Sequence, residues 1–274
     1  MFASCRQESA AGSRRSCPWT PENEFRHDMI RSFFKAAALF NPRQFRVSRD
    51  ACVLCGFSIQ VRLRSDEMGV RCLKCGASAV TQSLVAVLLH ECEPLSALDI
   101  YELSAAGPLV CWLQSHVRSL NTSEYFPDAV PGSEHGGVIC QDVQRLTYPD
   151  ETFDVCTSTE VFEHVEDDAA GFREIFRVLR PGGRLIFTVP LDLNQRTLER
   201  TEVRAGHRIN ILPAEYHADR YRGRRVLCFR NYGADLVNRL TKAGFGDVGF
   251  HRPRQVMFGY ARPVVVARKP GPTS

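Results

Sequence analysis

The stretch Ala97-Leu98-Asp99-Ile100-Tyr101-Glu102-Leu103-Ser104-Ala105-Ala106-Gly107-Pro108 decides the fold. An apolar run ends on an acid, small residues follow, and Pro108 opens a helical pattern that runs to Val117. Downstream the same alternation repeats. Asn121–Glu124 and Val138–Asp142 read as short strands, and Phe153–Thr157 as a longer one. Asp167–Leu179 then places Phe172, Ile175, Phe176 and Leu179 at helical spacing. Pro181-Gly182-Gly183 breaks that helix before a strand at Arg184–Val189. A helix over Tyr232–Ala243 and two strands near Val248 and Val264 close the chain, and a helix over Thr81–Glu91, stopped by Pro94, precedes the set. This order predicts an α/β fold: a doubly wound, mostly parallel, seven-stranded sheet covered on both faces by helices.

Upstream lies the sharpest local motif, Cys52-Val53-Leu54-Cys55-Gly56 and Cys72-Leu73-Lys74-Cys75-Gly76, with 16 residues between the pairs. Two cysteines at this spacing turn both thiolates to one side of a tight knuckle, and two knuckles complete a tetrahedral sulfur site suited to zinc. Between them Phe57, Ile59, Val61 and Leu63 alternate with Ser58, Gln60, Arg62 and Arg64, the pattern of a half-buried strand. Cys52, Cys55, Cys72 and Cys75 are therefore expected to hold a structural zinc in a small ribbon. A four-thiolate site leaves no open position for an activated water.

Composition sets the outer bounds. The chain has 274 residues, 44% hydrophobic, and no apolar run reaches the roughly 18 residues of a membrane span. The first 20 residues lack a signal-peptide core, so a cytoplasmic protein without membrane attachment is expected. Of the 11 cysteines, seven lie outside the knuckles and read as reduced thiols. The net charge of +4 is mild, and its excess sits before residue 96, where 13 Lys/Arg face 9 Asp/Glu. Such a balance permits nucleic-acid binding without favouring it.

In a parallel sheet of this kind, ligands bind beyond the carboxyl ends of the strands. After the first strand, Glu102 to Gly107 offer small side chains that let backbone approach a ligand, with helix amides behind them. Glu124, 22 residues beyond Glu102, is placed to accept from a ribose diol. Tyr125 is placed to lie against an adenine and Asp142 to accept from its amino group. The G-x-G-x-x-G fingerprint and a Walker loop are absent, which argues against nicotinamide and nucleotide triphosphate chemistry.

From about residue 81 to 268 the chain resembles a class I S-adenosylmethionine-dependent methyltransferase. Glu102, Ser104 and Gly107 match the first motif, Glu124 the ribose acid, and Gln141-Asp142-Val143 the adenine-side motif. Phe153-Asp154-Val155 through Glu160-Val161-Phe162-Glu163-His164 match the fourth strand and its turn, and Val178 to Phe187 match the helix–Pro-Gly-Gly–strand unit. The first motif departs from the family in keeping only Gly107. The resemblance implies S-adenosylmethionine as cofactor, bound by Glu102, Ser104, Gly107, Glu124, Tyr125, Asp142, Val143 and Glu160. It also implies transfer of a methyl group to an acceptor nucleophile. His164 is the first candidate base for an acceptor that must lose a proton, and His217 the second.

The expected layout is a tail and helix over 1–50, a zinc ribbon over 51–80 and a methyltransferase domain over 81–270. That domain carries an irregular insertion at about 191–229. Eight arginines against four acids between Arg196 and Arg225 suit an anionic small-molecule acceptor. Two other readings stay open: a methyltransferase-like binding module without catalysis, and an RNA methyltransferase.

Overall fold

The computed structural model describes residues 42–271 except 66, 219–224 and 255–256. The helix expected in the N-terminal segment, which the sequence starts at Asp28 and stops at Pro42, lies outside the described residues.

Strands β1 (Arg46–Ser48), β2 (Gln60–Arg62) and β3 (Val70–Cys72) form an antiparallel sheet in that order. β1 lies in the segment expected to be tail, and it pairs Arg46 with Arg62 and Ser48 with Gln60. The strand is shorter than the alternation suggested, and Gln60, expected to face outward, is fully buried. The reason is docking against helix α1 (Ala79–Glu91), where the Gln60 and Gln82 amides bond reciprocally at 3.2 Å. Ser78 caps that helix by accepting from Thr81 N at 3.0 Å.

The next elements are β4 (Asp99–Glu102), α2 (Pro108–His116), β5 (Ser119–Thr122), the two-residue strands β6 (Glu134–His135) and β7 (Val138–Ile139), β8 (Phe153–Thr159), α3 (Asp168–Val178) and β9 (Leu179–Thr188). The insertion follows as β10 (Leu191–Asp192), β11 (Leu198–Glu199), β12 (Thr201–Arg204), β13 (His207–Asn210), β14 (Glu215–Ala218), β15 (Arg225–Cys228) and β16 (Arg230–Gly233). Helix α4 (Leu236–Lys242), β17 (Asp247–His251) and β18 (Val264–Arg268) complete the chain.

The main sheet runs β17-β18-β9-β8-β4-β5. β5, β4, β8 and β9 are parallel, and β18 and β17 add as an antiparallel edge. It therefore has six strands rather than the expected seven. The segment Val138–Asp142 makes one parallel bridge, Glu124 to Cys140, and β7 spends its hydrogen bonds on a hairpin with β6. Side chains alternate across the sheet with period two. Ile100, Val155, Ile186, Val264 and Val266 pack with Leu84, Leu88 and Leu113 of α1 and α2. Tyr101, Cys156, Leu185, Phe187 and Val265 pack with Phe172, Ile175, Leu236 and Leu240 of α3 and α4.

Further expectations shift. Pro181-Gly182-Gly183 lies inside β9, where the register skips between Phe153–Leu179 and Val155–Arg184. A Cβ on Gly183 would stand 2.8 Å from Arg180 O and 3.0 Å from Asp154 O, so the strand must carry glycine there to bulge. Tyr232 belongs to β16, not to the following helix: it pairs with Leu191 of β10, and its hydroxyl donates to buried Asp168 at 2.9 Å. The insertion is not irregular: β12–β13 and β14–β15 are antiparallel hairpins. Arg230 and Arg239 bind Glu199 at 3.0 and 2.5 Å, tying β11, β16 and α4 together. Outside the knuckles, Cys92, Cys140, Cys156 and Cys228 are free and buried. No helix among the described residues is long and apolar enough to cross a membrane.

Candidate functional site

β4, β5, β8 and β9 run parallel, so their carboxyl ends share one edge of the sheet. Glu102 ends β4 and is fully buried. Ser104 Oγ donates to its Oε1 at 2.6 Å, and Thr157 Oγ1 of β8 donates to Oε2. Burial nonetheless pushes its carboxyl up to about 7, because loss of water outweighs the two hydroxyl donors. The chain then turns through Gly107, whose φ of +114° is open to glycine, into α2. No side chain caps this helix, so its first amides face the strand-end side without an internal partner.

Glu124 reaches back over that turn, and Ala105 N donates to its Oε1 at 3.2 Å. Its backbone bonds Ile139 O and Gln141 N hold the one bridge to the 138–142 segment. Tyr125 beside it is half exposed. Asp142 closes its own turn, accepting at Oδ1 from Gln144 N at 2.9 Å and Gln144 Nε2 at 3.1 Å. Val143 packs against the core on the α3 face. Glu102, Ser104, Gly107 and Glu124 are thus brought together, and Asp142 is joined to them through the Glu124–Cys140 bridge.

Glu160, just past β8, sits at φ +54°, unusual for a residue with a side chain. Arg262 Nη2 binds its carboxylate, and Arg262 Nη1 binds Glu67 at 2.6 Å. Burial, then the charge of Glu163, pushes the Glu160 carboxyl up to about 7 against the pull of Arg262. Arg262 is a residue the sequence reading missed; only its position just ahead of the last strand hinted at it.

The two histidines singled out from the sequence meet. His164 lies in a 3₁₀ turn, Phe162–His164, after β8, and His217 comes from β14 of the insertion. Their rings lie edge to face with centroids 4.9 Å apart. His164 Nδ1 donates to Leu227 O at 2.8 Å, and its Nε2 stands 3.7 Å from Glu163 Oε1. His217 Nδ1 stands 3.7 Å from that same oxygen, and its Nε2 is 3.3 Å from Glu215 Oε1. Glu163 is fully buried, and neither of its oxygens has a hydrogen-bond partner among the described residues. Its nearness raises the His217 pKa above the usual histidine value, against burial. Ser158 Oγ and Thr159 Oγ1, at the end of β8, are also buried without partners.

The four knuckle cysteines converge. Cys52 Sγ is 3.7 Å from Cys75 Sγ and Cys55 Sγ is 3.6 Å from Cys72 Sγ, with all four sulfurs within 4.8 Å of one another. Those separations are too long for disulfides and match the edges of a tetrahedron with bonds of about 2.3 Å. Gly56 N and Gly76 N close the knuckles on Cys52 O and Cys72 O at 2.9 and 3.0 Å, with φ of +68° and +73°.

Comparison with known proteins matches residues 104–187 to the family described as a methyltransferase domain. Ubiquinone biosynthesis O-methyltransferase of Coxiella burnetii is 33% identical over 78 residues, which is 28% of this chain and 33% of that protein. Phosphoethanolamine N-methyltransferase of Triticum aestivum is 43% identical over 47 residues, 17% of this chain and 9% of that protein. The matches thus span about a third or less of these curated relatives. An S-adenosylmethionine-dependent methyltransferase from Mesorhizobium loti aligns with a TM-score of 0.45 at 18% identity, covering 68% of this chain and 98% of that one. The matched stretch, residues 104–187, runs from the turn after β4 into the end of β9 and resembles a methyltransferase domain.

Proposed function

We propose that the whole protein is an S-adenosylmethionine-dependent methyltransferase acting on a small-molecule acceptor. The observation that carries this reading is the gathering of polar groups at one sheet edge. Glu102, Ser104 and Glu124 flank an uncapped helix start, and the Ser158 and Thr159 hydroxyls of β8 are buried there without partners. Buried polar groups are normally paired, so orphaned ones at a ligand edge fit a site that a ligand completes. The cofactor, when bound, supplies an electrophilic methyl group on a sulfonium. Glu102 and the α2 amides would bind its amino-acid end, Glu124 its ribose hydroxyls, and Tyr125, Asp142 and Val143 its adenine. Glu160 would border the sulfonium side.

His164 and His217 form one unit with Glu163, on the side where an acceptor would enter. The O- and N-methyltransferase names of the two curated relatives support a small acceptor, and the arginines of the insertion suit an anionic one. In the ribbon, Cys52, Cys55, Cys72 and Cys75 would hold a structural zinc whose four positions are all taken.

Calorimetry with S-adenosylmethionine tests the cofactor, and mass spectrometry of metabolites after incubation with labelled cofactor identifies the acceptor. Absence of binding at millimolar cofactor would sink the enzyme reading and leave a non-catalytic binding module.

A further inference from the structure

We propose that Glu163, His164 and His217 form a second metal centre, separate from the four-cysteine cluster, that takes a divalent transition-metal ion of the zinc class. The donor atoms of the three residues lie within 4.8 Å of one another. Both imidazoles aim one nitrogen at Glu163 Oε1 from 3.7 Å, too far for a hydrogen bond. In a tetrahedral site with bonds of about 2.0–2.1 Å the donors stand about 3.3 Å apart, so closing on an ion needs only small side-chain shifts.

The outer nitrogens complete the case. A histidine ligand commonly donates its second N–H to a carbonyl or a carboxylate, which fixes the tautomer and the ring orientation. His164 Nδ1 does so to Leu227 O at 2.8 Å. His217 Nε2 faces Glu215 Oε1 at 3.3 Å, so each ring keeps its lone pair for the Glu163 side. Glu163 is the independent observation. It is a fully buried carboxylate with two oxygens lacking partners, a costly arrangement that a cation relieves. Glu160, whose carboxyl feels the charge of Glu163, is held by Arg262 and stays outside the ligand set. Two imidazoles and one carboxylate suit zinc, iron or manganese better than calcium or magnesium.

Three protein ligands leave one position for a water or an acceptor oxygen. That last link rests on the methyl-transfer reading; the metal site itself does not. The insertion would then work through the ligand on β14, so that the site is complete only when the β14–β15 hairpin is in place.

The test uses the full chain without cofactor, loaded with cobalt(II) and dialysed. Wild type should retain two cobalt ions per chain, and His217→Gln and Glu163→Gln one each. All three should keep the same thiolate-to-cobalt absorption from the ribbon. His217 is partly exposed on the insertion, so its variant leaves the core intact; circular dichroism checks both. Cobalt affinity at the second site should fall at least tenfold in each variant. Wild type holding no more cobalt than the two variants would overturn the proposal. Cofactor calorimetry on the same samples reads the methyltransferase assignment separately.

Discussion

At the scale of single residues, Glu102 and Glu124 carry the sharpest tests. Glu124 already bonds the loop it borders, through Ala105 N. Glu124→Ala should weaken S-adenosylmethionine binding by about 1–3 kcal/mol, the worth of hydrogen bonds to a charged group, as read by calorimetry. Unchanged affinity would remove its assigned role. Glu102 makes a statement about pH. Burial holds its carboxyl near 7, above the ordinary value of 4.5. Between those two values the folded chain keeps a proton that the unfolded chain has lost. Stability should therefore fall as pH rises from about 4.5 to 7, by about 3 kcal/mol from this group, and level off above 7. Urea midpoints across that range should show the decline in wild type and its loss in Glu102→Gln. Parallel profiles would mean that the group does not titrate there.

At the scale of elements, the ribbon and its helix act together. The ribbon sheet has three strands of three residues, too little to fold alone, and its inner face is closed by the Gln60–Gln82 pair on α1. On the proposed zinc reading, treatment with a chelator should melt β1 to β3 while β4, β8 and β9 stay protected, as hydrogen exchange would read. Full protection of β2 and β3 after metal loss would refute a metal-held ribbon. The insertion shows why period and punctuation alone misled. Its segment is rich in arginine and poor in alternation, yet β12 to β15 pair as hairpins and β16 lies between β10 and β11. Ion pairs of Arg230 with Glu199 and of Arg239 with Asp168, which no local pattern encodes, tie β16 to β11 and α4 to α3.

At the scale of the whole molecule, Arg262 links two parts that are distant in sequence. It bridges Glu160 at the end of β8 and Glu67 in the turn between β2 and β3, while Tyr260 donates to Ser65 O beside it. Both carboxylates are largely buried, so Arg262→Met should leave two unpaired acids and cost about 2 kcal/mol in thermal or urea unfolding. It should also change cofactor affinity, since Glu160 sits at the same sheet edge. A variant with wild-type stability and affinity would show that the bridge is incidental.

The sequence by itself determined the order of strands and helices, the acids at the strand ends and the four-cysteine spacing. These are local in kind: side-chain period, glycine and proline punctuation, and fixed offsets along the chain each act within a few residues. Tertiary structure alone decided that the sheet has six strands, because the claim of Val138–Asp142 on the edge had to compete with its own hairpin. It also decided that Gln60 turns inward, that Arg262 neutralises Glu160, and that His217 crosses from the insertion to meet His164 over Glu163. Such pairings join residues 22 to 102 positions apart. They follow from which surfaces the packed sheet brings face to face, and no periodicity in the chain records that.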